Sequence, residues 1–452
     1  MNIIIVGCGK VGSNLTELLI NEDHNITVID TREKKVAHLT ENFDVMGYVG
    51  NGASIDTLTE ANIQETDILI AVTGSDETNL LMCLMAKKAA RCHTIARVRN
   101  PMYNREIDFI KAQMGISMII NPELAAANEI FQLLRFPSAY KIDAFSSGKV
   151  QLFKILIQNG QVLDGLEVKD LSSVCNCDVL VCTVERGDNV TIPGGNFRLK
   201  EGDLITVIAS QDNMIAFFRK LNLSVRQARN TLIIGGGTIG YYLAKRLLDA
   251  HIKVRIIEND PDRCEQLAED LPEASIINGD GSDKQLLIEE GLSRAESFVT
   301  LTNVDEENIL LSMFAQRHSK AKTVTKINRL AFDEIVESLN IGSVVYPKYI
   351  TADYILQYVR ALQNSVGNRI ARLYHIMNNR VEAIEFSISE SSPVTDVPLM
   401  NLNLKDNQLI CCINRNGKII IPRGQDTIRI GDSVIIVTLE KGLQDVRDIL
   451  KG

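Results

Sequence analysis

The sequence predicts an α/β protein in which two Rossmann-like domains with doubly wound parallel sheets alternate with two small α+β domains. Three observations predict this fold class. A glycine-rich turn follows an apolar strand at the amino terminus, the same pattern returns at Thr231–Gly240, and each copy leads into a shorter β-rich stretch. From these repeats we expect Rossmann-like domains at 1–136 and 226–362, and small domains at 137–225 and 363–452.

The overall composition is that of ordinary globular domains. The chain has 452 residues, of which 45% are hydrophobic and 23% are charged. No apolar stretch approaches the ~20 residues of a membrane-spanning helix, so direct membrane insertion is not expected. The formal net charge of −9 argues against nucleic acid, or an anionic membrane surface, as a direct partner. Because the amino terminus is itself a predicted strand, a cleaved signal peptide is not expected.

The opening stretch Asn2–Gly12 has the features of a dinucleotide-binding turn. Apolar residues lead into Gly7-x-Gly9-x-x-Gly12, and a helical pattern follows at once. The first glycine permits a tight turn, the second lets a pyrophosphate approach the backbone, and the third lets the helix pack against the strand. Free N–H groups at the helix start favour an anion. The candidate contacts are Gly7, Cys8, Gly9, Lys10, Val11 and Gly12.

An acidic residue closes the second predicted strand of each repeat. Asp30 lies 18 positions beyond Gly12. Dinucleotide-binding folds place a carboxylate there, roughly 20 residues on, to accept hydrogen bonds from the adenosine ribose hydroxyls. Glu258 takes its place in the second repeat. A carboxylate there would repel a 2′-phosphate, so NAD(H) or another adenine nucleotide is favoured over NADP(H). The alternative interpretation is a surface acid at a strand end.

Polar loops follow the other predicted strands of each repeat. In an open parallel sheet, ligands bind beyond the carboxyl ends of the strands, so these loops should meet the glycine turn at one edge. The further candidates in the first repeat are Asn51, Gly52, Thr73, Asp76, Asn79 and Arg97. The candidates in the second repeat are Gly235, Gly237, Thr238, Ile239, Gly240, Glu258, Asp280, Gly281, Thr302, Asp305, Asn308 and Lys326.

The two glycine turns differ in charge. Lys10 lies inside the first turn, where its ammonium group could reach a phosphate, and Thr238 is the matching residue in the second. A point charge at this place would favour a ligand with more phosphate charge, such as ATP. We therefore hypothesise that the two sites prefer different nucleotides. The alternative is a solvated lysine on the first helical turn.

The sequence offers no arrangement typical of catalysis. None of the six histidines lies in a glycine-framed loop, and no hydrolase triad order, zinc-protease motif or Walker lysine is present. The nine cysteines lack metal-ligand spacing, so we expect buried thiols in a reducing cytoplasm. Binding without chemistry is favoured. The alternatives are an NAD-dependent oxidoreductase with an unrecognised substrate pocket and an assembly protein that holds nucleotide structurally.

Over nearly its full length the chain resembles the peripheral regulatory subunits of bacterial and archaeal Trk potassium-uptake systems, which are built from tandem RCK (or KTN) domains. The resemblance rests on the doubled glycine turns and acids, the loops Gly50–Ser54 and Gly279–Ser282, and the Asp-Glu-x-Asn turns at 76–79 and 305–308. The alternation of large and small domains is also similar.

The resemblance implies a cytoplasmic subunit, peripheral to the inner face of the cell membrane. It implies a homo-oligomeric ring beneath a potassium-translocating membrane subunit of the Trk type, with NAD(H) and ATP or ADP bound in the large domains. Lys10 matches a basic residue that contacts triphosphate in some relatives, whereas Thr238 departs from that pattern. The helices predicted at Pro122–Phe136 and Tyr349–Leu362 are where we expect a moving interface. For Pro122–Phe136, simple core packing and dimerisation remain alternatives.

Overall fold

A computed structural model of the chain contains four sheets that alternate along the sequence. Two are parallel with six strands, and two are antiparallel with five. This arrangement confirms the predicted fold class. No helix among the described residues is long and apolar enough to cross a membrane. The residues that the structure describes are 1–104, 106–136, 139, 141–145, 150–187, 189–223, 227–328, 339, 341–363, 369–376, 380–443 and 445–451.

The first parallel sheet has six short strands, which are β1 (Asn2–Val6), β2 (Asn25–Asp30), β3 (Met46–Val49), β4 (Ile68–Ala71), β5 (His93–Arg97) and β6 (Met118–Ile120). Their order is β3-β2-β1-β4-β5-β6, and all neighbours run parallel. The central strands β1 and β4 are continuous apolar runs because helices cover both of their faces. The strand order reverses between β1 and β4, which leaves a crevice at their carboxyl ends.

The helices that belong to this sheet are α1 (Lys10–Ile20), α2 (Glu33–Asn42), α3 (Ile55–Glu60), α4 (Asp76–Ala89), α5 (Pro101–Asn104), α6 (Ile107–Met114) and α7 (Pro122–Arg135). Helices α4 and α7 begin at polar side chains that satisfy their first free N–H groups. The Ser75 hydroxyl accepts a hydrogen bond from the Thr78 N–H at 3.1 Å, and the Asn121 carbonyl accepts one from Leu124 at 2.9 Å.

The first small domain is an antiparallel sheet of β7 (Lys141–Phe145), β8 (Val150–Leu156), β9 (Leu180–Arg186), β10 (Asn189–Thr191) and β11 (Leu204–Ser210), in the order β10-β9-β11-β8-β7. Its helices are α8 (Leu171–Cys175) and α9 (Gln211–Lys220). Asp203 is fully buried and accepts two hydrogen bonds of 2.7 Å from the Arg186 guanidinium. This pair ties β9 to the start of β11.

The second parallel sheet repeats the first. Its strands are β12 (Asn230–Ile234), β13 (Lys253–Glu258), β14 (Ser275–Asn278), β15 (Ser297–Thr300), β16 (Lys322–Lys326) and β17 (Ser343–Val345), in the order β14-β13-β12-β15-β16-β17. The helices are α10 (Thr238–Asp249), α11 (Pro261–Asp270), α12 (Lys284–Glu289), α13 (Asp305–His318) and α14 (Pro347–Gln363). The strand order is therefore the same in both large domains, relative to the glycine turn.

The second small domain contains β18 (Arg369–Ile376), β19 (Val381–Ser387), β20 (Gln408–Arg415), β21 (Lys418–Ile420) and β22 (Ser433–Thr438), in the order β18-β19-β22-β20-β21. Arg415 and the buried Asp432 repeat the pair seen in the first small domain, at 2.8 and 2.7 Å. The copies differ at their ends. A short 3-10 turn at Val446–Ile449 closes this domain, whereas α9 closes the first.

The two halves of the chain pack against each other through the helices that leave each parallel sheet. Helix α7 of the first half lies on α10 of the second, and α14 of the second half lies on α1 of the first. At the α7–α10 contact, Asn121 donates a hydrogen bond to the Tyr242 hydroxyl at 2.9 Å, and Arg246 lies 5.5 Å from the ring centre of Phe131. Both predicted interface helices therefore bury their apolar faces between the halves of one chain.

The two small sheets also pack face to face. Their apolar contact includes Val150, Leu152 and Cys182 from the first sheet, and Cys411 and Ile435 from the second. All nine cysteines of the chain are buried and free of disulfides. This confirms the predicted burial of the thiols. No group of three or more potential ligand side chains that could hold a metal ion occurs in the described ranges.

Candidate functional site

The carboxyl ends of both parallel sheets open into one continuous cavity of about 1000 Å³. Residues of both predicted sites line it, so the two sites face each other inside a single chain. The predicted residues at its surface in the first half are Gly7, Gly9, Lys10, Val11, Asp30, Asn51, Gly52, Thr73 and Arg97. Those in the second half are Gly235, Gly237, Thr238, Ile239, Gly240, Glu258, Asp280, Gly281, Thr302 and Lys326.

The first glycine turn excludes side chains for two separate reasons. Gly7 has a φ angle of +107°, and a Cβ there would lie 3.0 Å from the backbone nitrogen of Thr73. A Cβ on Gly12 would lie 1.9 Å from the carbonyl oxygen of Gly7. Gly12 is therefore buried under the turn and does not face the cavity. Its role is to bring α1 against the turn, which positions the start of the helix beside the cavity.

The start of α1 is open to a ligand. Gly9 is the N-cap residue, has an extended backbone, and offers no side chain to the first N–H groups of the helix. In the second half, Gly237 takes the same place at the start of α10. Uncapped helix N-termini beside a cavity attract anions because their N–H groups and the helix dipole point at the ligand. Each half therefore offers an uncapped helix start that adjoins the cavity.

Asp30 and Glu258 hold the glycine turns in place. Asp30 accepts the N–H of Cys8 at 2.8 Å and that of Arg32 at 3.0 Å. Glu258 accepts the N–H of Gly236 at 2.7 Å and that of Asn259 at 2.9 Å. A carboxylate has about four acceptor positions, so both acids can still accept hydrogen bonds from ribose hydroxyls. The sequence pattern predicted a ribose contact for these acids but not their contact with the turn.

The small loops after β3 and β14 need glycine because they cross the central strand of each sheet. A Cβ on Gly52 would lie 2.3 Å from a methyl group of Val6, and one on Gly281 would lie 2.3 Å from a methyl group of Ile234. The loops are closed by their own polar side chains. Asp280, for example, accepts the N–H of Ser282 at 2.8 Å, and this hydrogen bond lowers the pKa of Asp280.

Four predicted polar residues lie behind the cavity wall and organise it. Asn79 accepts the N–H of Thr73 at 2.9 Å and donates to the carbonyl of Arg97 at 2.9 Å. Asn308 makes the same two bonds to Thr302 and Lys326, each at 3.0 Å. Asp76 and Asp305 accept backbone N–H groups of the loops after β5 and β16, respectively. These side chains position the loops around the cavity from behind.

Two basic residues at matching strand ends have different surroundings. Arg97 lies 3.0 Å from the Glu123 carboxylate, and both side chains are 16% exposed. The Lys326 amine is 3.0 Å from the carbonyl oxygen of Leu301 and 3.5 Å from the amide oxygen of Asn303. Burial lowers the pKa of Lys326 to about 8, against the raising effect of Asp305. Both residues end the fifth strand of their sheets, as the repeat predicted.

The structure adds basic residues that the sequence pattern did not reveal. The Lys35 amine lies 3.9 Å from the position of a Cβ on Gly9, so it stands over the first glycine turn. Arg263 donates to the carbonyl oxygen of Gly236 at 2.9 Å in the second half. Each lies five residues after the strand-end acid of its half, in the first turn of the helix that follows. That shared spacing from Asp30 and Glu258 was the signal that could have revealed them.

The fold and the cavity define a class of protein: tandem Rossmann-like domains, each followed by a small α+β domain, whose ligand sites meet in one cavity. The chain belongs to the TrkA family. The TrkA-N domain matches residues 3–122 and 231–347, and the TrkA-C domain matches 152–222 and 383–451.

Curated relatives match over the whole chain. The chain is 32% identical over 459 residues to the Trk system potassium uptake protein TrkA homolog 1 of Methanosarcina mazei, covering 100% of both chains. It is 32% identical over 452 residues to TrkA of Halomonas elongata, covering 99% of this chain and 98% of the relative. With TrkA of Haemophilus influenzae the identity is 30%, over 98% and 96% of the two chains.

Solved structures share the fold at low identity. The GsuK channel bound to NAD has a TM-score of 0.64 and 17% identity, with 97% of this chain and 76% of that chain covered. The GsuK RCK domain has a TM-score of 0.63 and 17% identity, over 96% of this chain and 92% of that one. These likenesses show that the chain shares its overall fold with the GsuK channel and the GsuK RCK domain.

Proposed function

We propose that this chain is the nucleotide-binding regulatory subunit of a potassium-transport system. It binds NAD(H) and the adenine nucleotides ATP and ADP in the cavity between its large domains, and it gates a potassium-translocating membrane subunit of the Trk type. The observation that carries the proposal is the cavity, into which two glycine turns and two strand-end acids converge. The names of the relatives, potassium uptake proteins of the Trk system, supply the transport process.

Adenine nucleotides fit each half on chemical grounds. The uncapped starts of α1 and α10 suit phosphate groups. Asp30 and Glu258 have free acceptor positions for a ribose, and the structurally similar GsuK channel was solved bound to NAD. The predicted residues that line the cavity are therefore proposed as ligand contacts. Gly12 and Cys8, which are buried in the first turn, and the four residues behind the wall position the turn and the loops instead.

Ligand binding without turnover is the proposed chemistry. The described lining of the cavity includes no histidine, cysteine or tyrosine, and its Arg97 and Glu123 pair with each other while Lys326 donates to the carbonyl oxygen of Leu301. Because the halves contact each other through α7 and α14, ligand binding can instead change how the halves are arranged. A ligand that favours one arrangement of the halves over another shifts their equilibrium by ~1–3 kcal/mol per site, which is typical of allosteric coupling.

The two sites are proposed to prefer different ligands. Lys10 and Lys35 bring two ammonium groups to the first glycine turn, and the matching residues of the second are Thr238 and Arg263. Arg263 already donates to the backbone of its own turn. The first half is therefore proposed to favour ATP or ADP, and the second to favour ligands with less phosphate charge.

The proposed assembly is a homo-oligomeric ring on the cytoplasmic side of the membrane, attached through the membrane subunit. The helices α7 and α14, which lie between the halves, are the elements proposed to move when the ligand changes. Such movement would reach the small domains directly, because each of these helices leads into one.

The test is potassium flux through vesicles that contain the chain and its Trk-type membrane subunit. We expect the flux to change when ATP, ADP, NAD or NADH is added, and we expect Asp30→Asn and Glu258→Gln to shift the concentrations at which it responds. Lys245→Met, which removes an exposed charge from α10 outside the cavity, should respond like the unaltered chain. Flux that is indifferent to all four nucleotides would contradict the proposal.

A further inference from the structure

The two proposed nucleotide sites share a single cavity, and the strand order gives each bound nucleotide a defined orientation within it. Asp30 lines the cavity in one half and Glu258 lines it in the other. Both acids would hold the adenosine end of a nucleotide, whereas Arg97 and Lys326 end strands on the opposite side of each glycine turn. The arrangement of these four residues along the cavity decides which end of each ligand faces the other half.

The strand order sets the distance between the acid and the base in each half. In the first sheet β2 and β5 are separated by β1 and β4, which makes three strand spacings. At ~4.8 Å for each spacing, Asp30 and Arg97 lie roughly 14 Å apart along the sheet edge. The second sheet has the same order, so Glu258 and Lys326 are separated by a similar distance.

The basic ends of the two sites meet at the centre of the cavity. Helix α7 carries Glu123, which pairs with Arg97 at 3.0 Å, and α7 also contacts β16, the strand that ends at Lys326. Asp305, Glu123 and Lys10, at the first glycine turn, all act on the pKa of the Lys326 amine. Lys326 of the second half is thus within electrostatic range of the phosphate end of the first site. Asp30 and Glu258 end β2 and β13, on the far side of the glycine turns from Arg97 and Lys326.

The central charges suit a phosphate chain. Three cations, Lys10, Arg97 and Lys326, line the cavity; Glu123 pairs with Arg97, and Asp305 behind the wall also acts on Lys326. Two separate triphosphates would bring two highly charged ends together here, and like charges at short range in a partly buried site repel strongly. A single phosphate chain that passes through the centre carries less total charge and can contact all three cations.

We propose that the cavity binds one dinucleoside polyphosphate, in which two adenosines are joined 5′ to 5′ through a phosphate chain. One adenosine occupies the Asp30 end, the other occupies the Glu258 end, and the phosphates cross the centre beside Lys326. The proposal rests on the proposed function, since it uses both adenosine positions. Linking two binding groups makes the second contact intramolecular, which typically raises affinity by ~10²–10⁴-fold when the linker length fits.

Calorimetric titration of the full chain tests this directly. The probes are diadenosine tetra-, penta- and hexaphosphate, with ATP as the comparison. We expect only one dinucleotide per chain but up to two ATP molecules, the second of which binds more weakly because its phosphates face those of the first. At the best-fitting phosphate length, the dinucleotide affinity should be at least ~100-fold above that of the first ATP. The dependence on length is itself diagnostic, because a linker that is too short cannot reach both acids.

Single-site variants separate a bridging ligand from two independent ones. Asp30→Asn and Glu258→Gln should each reduce dinucleotide affinity to about the level of ATP, while ATP still binds the unaltered half. Lys326→Met should weaken the dinucleotide more than it weakens NADH. Lys245→Met, exposed on α10 outside the cavity, is the matched control for loss of one charge and should change neither.

The outcomes distinguish this inference from the proposed function. Two dinucleotides per chain, or an affinity no greater than that of ATP at every length, would overturn the bridging ligand and leave the nucleotide sensor intact. Failure of ATP, ADP and NADH to bind at all would overturn both. The stoichiometry of the unaltered chain decides between these outcomes even where a variant does not fold.

Discussion

Asn79 and Asn308 make the same hydrogen bonds in the two halves, to the loop after the fourth strand and to the end of the fifth. The charges around these shared bonds differ. The first half has Lys10 at its glycine turn and an Arg97–Glu123 pair, whereas the second has Thr238 and a lysine that donates to a backbone carbonyl at the equivalent strand end. The duplicated scaffold has therefore kept its backbone-binding groups and changed the charged groups that face the cavity.

The contacts of α7 and α14, the helices that leave the two parallel sheets, also differ between the halves. Arg360 on α14 hydrogen-bonds Glu22 through its Nε at 2.8 Å and lies 3.7 Å from Glu382. Counted from the proline that opens each helix, Arg135 on α7 is its counterpart, and it lies 5.9 Å from the ring centre of Phe136. The Arg360 contact thus joins the first large domain to the second small domain, and its counterpart makes an aromatic contact instead.

The largest expected effect comes from removing that Arg360 contact. Arg360→Met should lower the free energy of unfolding by ~3–5 kcal/mol, because Glu382 is buried and loses a nearby cation. Arg135→Met, the matched variant, removes an arginine–aromatic contact and should cost less than ~1 kcal/mol. Calorimetric melting of both variants measures the difference. Equal losses would show that the two helix contacts are equivalent after all.

The loss of stability caused by Arg360→Met should depend on pH. Burial raises the pKa of Glu382, and Arg360 lowers it. Without Arg360 the folded-state pKa lies further above the unfolded value of ~4.3, which stabilises the folded state only while the carboxyl group is protonated. The deficit of Arg360→Met should thus be smallest below about pH 4.3 and grow as the pH rises through the folded-state pKa. A deficit that does not vary with pH would rule out this role for Glu382.

The shared scaffold predicts equal effects in the two halves. Asn79→Ala and Asn308→Ala each leave buried backbone groups without their partner, and each should cost ~2–3 kcal/mol of stability. Asn42→Ala, on the exposed end of α2, is a control that should stay within ~0.5 kcal/mol. Melting curves of the three variants provide the measurement. Clearly unequal stability losses for Asn79→Ala and Asn308→Ala would show that the two halves do not rely equally on these backbone hydrogen bonds.

The nucleotide affinity of the second half should depend on pH through Lys326, the basic residue at the end of β16. The pKa of Lys326 is lowered to about 8 by burial, so the ammonium form that binds phosphate is lost as the pH rises above that value. Nucleotide affinity of the second half should fall by up to tenfold per pH unit above about pH 8. Calorimetry with NADH between about pH 7 and 9 measures this fall. Lys326→Arg, which stays charged throughout, should remove the pH dependence and retain binding.

The smallest expected effect concerns the glycine turns. Lys10→Ala should weaken ATP binding by about fivefold, near 1 kcal/mol, because the lysine is largely exposed and its charge is screened. NADH affinity should change little. Thr238→Lys should strengthen ATP binding in the second half by a similar factor. Titrations in which both substitutions leave the ATP-to-NADH preference unchanged would show that the turns do not set ligand preference.

The predictions from sequence succeeded where local chain geometry decides the structure. The turns at Gly7 and Gly235 have positive φ angles, which glycine adopts at no steric cost, so the glycine pattern revealed them. The carboxyl ends of parallel strands meet at one edge in any such sheet, so loops far apart in sequence could be assigned to one site. For the same reason the repeat placed Lys326 where Arg97 stands.

The roles of several predicted residues could not be read from sequence. Asp76 and Asp305 were candidates for ligand contact but lie behind the wall, where they bind backbone N–H groups. Sequence spacing assigns a residue to a loop but not to one face of that loop. The use of Asp30 as an anchor for the turn is another case, since a carboxylate at that position serves both purposes.

By itself the sequence determined the four-domain order, the two glycine turns, the strand-end acids and the membership of one duplicated family, because each depends on residues close together in the chain. Only the tertiary structure decided that both predicted sites open into one cavity, that Lys326 of one half and Lys10 of the other line that same cavity, and that Arg360 joins the halves. Those features depend on how α7 and α14 pack across the molecule. That packing joins apolar faces hundreds of residues apart, and no local pattern specifies which faces meet.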